Sequence, residues 1–213
     1  MSENIYTYGI IEQEDREVAT EGVAGAERIY TIDYRNLSAV VSDIDTTEPE
    51  RTDEDVEAHN AVLQHVLEYD GGRTIVPMSF GMAFKSGRTL KGVLRGARRA
   101  LRSTLNDIEG TIELGVKILT PADDELPQED IRAAVTDQLT EVSINETEND
   151  LFTDRLIVNK SYLVDRKQRD TFDAAIDEIE ERYDDELILK YTGPWPPYNF
   201  VDIHIGAEQQ GGR

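Results

Sequence analysis

Tyr191-Thr192-Gly193-Pro194-Trp195-Pro196-Pro197-Tyr198-Asn199-Phe200-Val201 contains the chain's only tryptophan and three of its seven prolines. Prolines fix φ and remove backbone donors, so this run cannot be an ordinary helix or a central strand. Trp195 stands between two prolines, which hold its backbone extended and present its ring at low entropic cost. Two readings follow. The run is either a rigid corner whose aromatics fill the domain's own core, or a docking loop built on Trp195 and Tyr198, since Trp and Tyr favour both settings. A strand predicted over 186–191 enters it and another over 199–205 closes the sheet after it, which favours the corner, with Trp195 as a supporting anchor.

Working back from the corner, residues 166–184 read as a helix with Phe172, Ile176, Ile179 and Tyr183 on one face, and 155–164 as a strand. Residues 121–154 hold eleven acidic residues and one basic residue, the place expected for a frayed helix or mobile segment. Residues 111–119 alternate as a strand. Strand, weak helix, strand, helix, strand suggests a ferredoxin-like antiparallel sheet with helices on one face.

Towards the N-terminus, strands are predicted over 5–11, 28–33 and 37–44, the last two joined by a tight turn at Tyr34-Arg35-Asn36. The period then changes to that of a helix over 53–69, followed by a buried strand over 74–84 and a second helix over 88–106. Leu90, Leu94, Ala97, Leu101 and Leu105 form the stripe of that second helix. The fold class is α+β in two domains: a mixed α/β domain over 1–108 and a ferredoxin-like domain over 109–213 that includes the acidic segment 121–154.

The formal charge of −22 argues against nucleic acid or an anionic membrane as partner. With little Lys, this acidic coat suits a protein kept hydrated in concentrated salt, as in a halophile. No cysteine is present, which excludes disulfides and thiol chemistry. No apolar run approaches the ~20 residues needed to span a bilayer, and no signal peptide pattern opens the chain, so a cytoplasmic setting is expected.

Motifs for catalysis are missing. Gly22-Val23-Ala24-Gly25 lacks the Lys-Ser/Thr of a phosphate loop and reads as a flexible connector, and no Gly-x-Ser-x-Gly elbow occurs. His59 lies on the apolar stripe of its helix and reads as a packed histidine, while His65 points to the opposite side, so the two cannot share a metal. Asp202 and His204 form at best a weak ligand pair. No catalytic, cofactor or metal residue is assigned, which favours a non-enzyme.

Charge is unusual in one place. Between Lys85 and Arg102 stand seven basic residues and no acidic one. Arg88, Lys91, Arg95, Arg98, Arg99 and Arg102 fall on one helical arc beside the leucine stripe, and Gly92, Gly96 and Ala100 recur on a third side. On the helix over 166–184, Asp170, Asp173, Asp177, Glu180, Glu181 and Asp184 make an acidic arc. Solvated faces and docking faces are both consistent with these rows; docking an acidic surface is the sharper reading of the basic one.

Gly193-Pro194-Trp195-Pro196-Pro197-Tyr198, followed by a small polar residue, Phe and Val, resembles the C-terminal signature of the gas vesicle F/L family. The aromatic opening Ile5-Tyr6-Thr7-Tyr8-Gly9-Ile10, the helical pair His59-Asn60 and Ile75-Val76-Pro77-Met78-Ser79-Phe80-Gly81 agree with it in order. Ser79 departs from the pattern, where a basic residue is expected, so no charged role is carried over to that position. The compact chain is closer to the F type. The resemblance implies an α/β domain followed by a ferredoxin-like domain. It also implies an accessory protein that binds the hydrophobic gas vesicle shell subunit and other gas vesicle accessory proteins, without cofactor or turnover, at the gas vesicle. A regulatory small-molecule-binding module is the first alternative, and a hydrolase or transferase without a recognisable motif the second.

Overall fold

The computed structural model describes residues 4–15, 17–18, 20–121 and 127–201. Two compact units emerge: one runs to Glu109 and takes in Val201, the other is Gly110–Phe200. The sequence reading kept everything after 109 in the second domain, whereas Val201 packs against the hydrophobic core of the first unit.

In the first unit, β1 (Asn4–Glu12) is followed by β2 (Glu17–Val18), β3 (Ile29–Tyr34) and β4 (Leu37–Ile44). Helix α1 (Asp53–Glu68) leads to β5 (Val76–Pro77) and β6 (Ala83–Phe84), and then to α2 (Gly87–Asp107). The sheet runs β2-β3-β4-β1-β5, and β6 also pairs with β1; these pairings are antiparallel. β1 is buried at every position from Ile5 to Ile11 because both of its faces are covered. Its register against β4 shifts between Thr7 and Gly9, so Ile5 and Ile10 both join the cluster of Leu90, Leu94, Leu101 and Leu105 under α2. Tyr6 and Tyr8 turn towards His59 of α1.

The single strand expected over 74–84 is two short ones. Pro77 cannot donate to a ladder, and Gly81, at φ 93, turns the chain between β5 and β6. The connector at Val23–Gly25 is also firmer than expected. It forms a 3-10 turn in which Val23 N–H is bonded to the Tyr8 hydroxyl at 2.9 Å and Ala24 N–H to Asp55 Oδ1 at 2.6 Å.

The second unit contains β7 (Thr111–Leu119), α3 (Gln128–Glu141), β8 (Asn145–Glu148), β9 (Leu156–Asp165), α4 (Arg169–Tyr183) and β10 (Ile188–Trp195). Its antiparallel sheet has the order β10-β7-β9-β8. Regular structure replaces the loop or frayed helix expected for much of 121–154. Ile131, Val135 and Leu139 bury one stripe of α3, and β8 is tied to β9 by Lys160, whose ammonium lies 2.7 Å from Glu146. Residues 199–200 belong to the 3-10 turn Tyr198–Phe200 and not to the closing strand expected over 199–205, whose remainder beyond Val201 lies outside the described residues. Among the described residues, β10 stands at the edge of its sheet.

Candidate functional site

α2 builds the basic face. Ser86 caps its first turn by accepting from Thr89 N–H at 3.3 Å, and four leucines anchor it to the sheet. Arg88, Lys91, Arg95, Arg99 and Arg102 are exposed, with no ion pair among the described residues; Arg98 is half-buried and donates to Asn36 Oδ1 at 3.4 Å. The row is unfavourable for its own helix. Six like-charge pairs at i,i+3 or i,i+4 each cost about 0.2–0.5 kcal/mol at low salt, and no acidic residue offsets Arg88 and Lys91 at the positive end of the helix dipole. A Cβ added at Gly92 or Gly96 would meet nothing within 4 Å, so these glycines serve no internal close contact.

The proline corner has an arrangement that the sequence left open. Pro194, Pro196 and Pro197 are buried, whereas Trp195 and Tyr198 are each 37% exposed. Tyr191 is half-buried: its ring stacks on Phe172 with centroids 6.0 Å apart, and its hydroxyl donates to Asp173 Oδ1. Burial, and then the bond to Asp173, push its pKa above that of a free tyrosine. The Gly193–Pro194 peptide is cis, and Gly193 has φ 120. A Cβ at Gly193 would lie 2.8 Å from the Glu113 carbonyl oxygen, so the backbones of β10 and β7 approach there as only glycine permits.

Glu113 is the residue that sequence reasoning missed. It is 5% exposed on β7, and its carboxyl oxygens accept from Asn199 N–H at 2.9 Å and Asn199 Nδ2 at 2.5 Å. Asn199 Nδ2 also donates to Ser161 Oγ at 3.0 Å, which in turn accepts from Asn149 Nδ2 at 3.2 Å. A glutamate in a strongly acidic chain has nothing to distinguish it in sequence, and its partner lies 86 residues away. The alternation of β7 was the available signal, because it sets Glu113 on the face opposite Ile112 and Leu114.

His59 is 2% exposed and fully bonded. Nε2 faces the Met78 carbonyl at 3.1 Å and so carries the proton, which leaves Nδ1 to accept from the Tyr6 hydroxyl at 2.9 Å. Tyr6 in turn accepts from Gly81 N–H at 3.2 Å. Burial lowers the His59 pKa to about 4, with the charge of Arg51 acting in the same direction. This network staples α1 to the turn that separates β5 and β6. Asp202 and His204 lie outside the described residues. Among the described residues no group of three or more His, Asp or Glu is placed to hold a metal ion, and no helix is long and apolar enough to cross a membrane.

The sequence profile described as gas vesicle synthesis protein GvpL/GvpF matches residues 4–130 and 124–202. The chain is 76% identical to gas vesicle protein F of Haloferax mediterranei, with both chains covered in full. It is 77% identical to gas vesicle protein F1 of Halobacterium salinarum, again over the whole of both. The crystal structure of GvpF from Anabaena aligns with a TM-score of 0.85 at 20% identity, covering 94% of this chain and 97% of that one. GvpF from Microcystis aeruginosa aligns at 0.83 and 18% identity, covering 95% and 100%. Both share the mixed α+β fold with antiparallel sheets.

Proposed function

Since the chain belongs to the gas vesicle GvpL/GvpF family, we propose that it acts in gas vesicle assembly as an accessory or minor structural protein. In this reading it binds the hydrophobic shell subunit and other accessory proteins, without cofactor or turnover, in the cytoplasm and at the gas vesicle. The observation that carries it is the full-length identity of 76% to a gas vesicle protein F. An acidic protein that offers rigid aromatics could keep an apolar subunit from aggregating until it joins the shell.

Two surfaces are assigned to docking. The first is the face of α2 made by Arg88, Lys91, Arg95, Arg98, Arg99 and Arg102, which suits an acidic partner surface. The second is the corner with Trp195 and Tyr198, whose exposed rings sit on a backbone held by buried prolines. Such rings lose little entropy on binding. Gly110–Phe200 is read as a ferredoxin-like domain, supported by the alternation of its strands with α3 and α4 and by the strand order β10-β7-β9-β8.

Co-expression with a gas vesicle shell subunit tests the proposal. The subunit should remain soluble with the wild-type chain and sediment without it. Equal aggregation in both cases would overturn the chaperone-like role.

A further inference from the structure

Two helices of this protein carry opposite charges in one pattern. Counted from Arg88, the cations of α2 stand at offsets 0, 3, 7, 10, 11 and 14. Counted from Asp170, the anions Asp173, Asp177, Glu180, Glu181 and Asp184 complete the same six offsets on α4 and its C-cap. Each row extends about 21 Å at ~1.5 Å rise per residue. Both rows face solvent in their own unit: on α4, Asp170, Asp177, Glu180, Glu181 and Asp184 are exposed, and Asp173 alone is engaged, with Tyr191 and Arg169. Like charges three and four apart repel along each helix, so each row gains from an opposite row laid against it.

We infer that the occupant of the α2 face is the α4 face of a second copy of this chain. This rests on the reading of α2 as a docking surface and names its partner. Antiparallel docking fits the offsets. It sets Arg88 against Asp184, Lys91 against Glu181, Arg95 against Asp177, Arg99 against Asp173 and Arg102 against Asp170. The two charges left over meet small residues: Arg98, already held by Asn36, faces Ala174, and Glu180 faces Gly92. Arg88 and Asp184 each sit at the helix end that their own helix dipole disfavours, and antiparallel dipoles turn both into favourable contacts. Gly92, which borders the basic arc, offers bare backbone to the incoming helix.

Salt decides when this contact forms. Two chains of charge −22 repel at low ionic strength. At ~1 M salt the Debye length is about 3 Å, so that long-range repulsion is screened. Guanidinium–carboxylate pairs at hydrogen-bond distance persist there better than ammonium pairs, and five of the six cations are arginine.

The test is sedimentation velocity on the full chain in molar potassium chloride over a range of concentrations. The wild type should show a mass that rises with concentration. A basic-face reversal (Lys91→Glu, Arg95→Glu, Arg102→Glu) and an acidic-face reversal (Asp170→Arg, Asp177→Arg, Glu181→Arg) should each weaken association by about tenfold or more. An equimolar mixture of the two, or one chain carrying all six changes, should restore it, provided circular dichroism shows that each variant is folded. A wild type that stays monomeric throughout would overturn the inference, as would loss of association in the basic reversal alone or failure of the mixture to recover it. Shell-subunit solubilisation is scored on the same variants. If the basic reversal loses it while the wild type is monomeric, the docking face stands and the second copy as its occupant falls.

Discussion

The carboxyl group of Glu113 accepts both the backbone N–H and the side-chain amide of Asn199, so one residue of β7 holds the far end of the proline corner. Glu113→Ala removes the acceptor of the Asn199 backbone N–H and one of the two acceptors of its side-chain amide, at a cost of about 1–3 kcal/mol. The expected outcome is a lower denaturation midpoint for the second unit. Trp195 is the sole tryptophan, so its fluorescence should shift to the red and be more easily quenched as the corner loosens. An unchanged spectrum would show that the prolines hold the corner without this clamp.

Gly193→Ala strains the same corner from the other side. At φ 120, and with the Glu113 carbonyl 2.8 Å from the new methyl group, the substitution should destabilise by about 1–3 kcal/mol. Thermal unfolding followed at Trp195 measures it.

Gly96→Ala should do the opposite. Its methyl group meets nothing within 4 Å, so the gain in helix propensity is about 1 kcal/mol and the melting temperature rises. Leu101→Ala, six positions beyond Arg95 and fully buried, should lose about 2–5 kcal/mol. The contrast separates the solvent side of α2 from its core side.

His59 makes stability depend on pH. Its folded pKa, about 4, lies below the free value of 6.5, so the unfolded chain binds a proton that the folded one refuses in between. The contribution is whole above pH ~6.5, declines as the pH falls towards ~4, and is flat below that, amounting to roughly 3 kcal/mol at ~1.4 kcal/mol per unit. Denaturation curves of the wild type and His59→Gln across that window should converge on acidification, since Gln removes the titration. Parallel curves would refute the assignment.

Local pattern alone was enough for much of this chain. Leu90, Leu94, Leu101 and Leu105 repeat with the period of a helix, and Thr111 to Leu119 alternate with that of a strand, so α2 and β7 follow from neighbours a few residues apart. The signature Gly193-Pro194-Trp195-Pro196-Pro197-Tyr198 likewise marks the family by its residues alone. Other features depend on partners distant in sequence. β8 is poor in apolar residues, and its place beside β9 rests on Lys160 and on a ladder between strands. The break between β5 and β6 depends on the Tyr6 hydroxyl 75 residues before Gly81. Whether the corner's aromatics or its prolines turn inward could not be read from composition, since both are apolar; in the fold Pro196 and Pro197 are covered and Trp195 and Tyr198 are partly exposed, in a turn that Asn199 ties to Glu113 of β7. Periodicity records which face of an element is apolar, whereas tertiary structure alone records what that face meets, because a hydrogen bond or a close backbone approach between distant residues leaves no mark on the spacing of either.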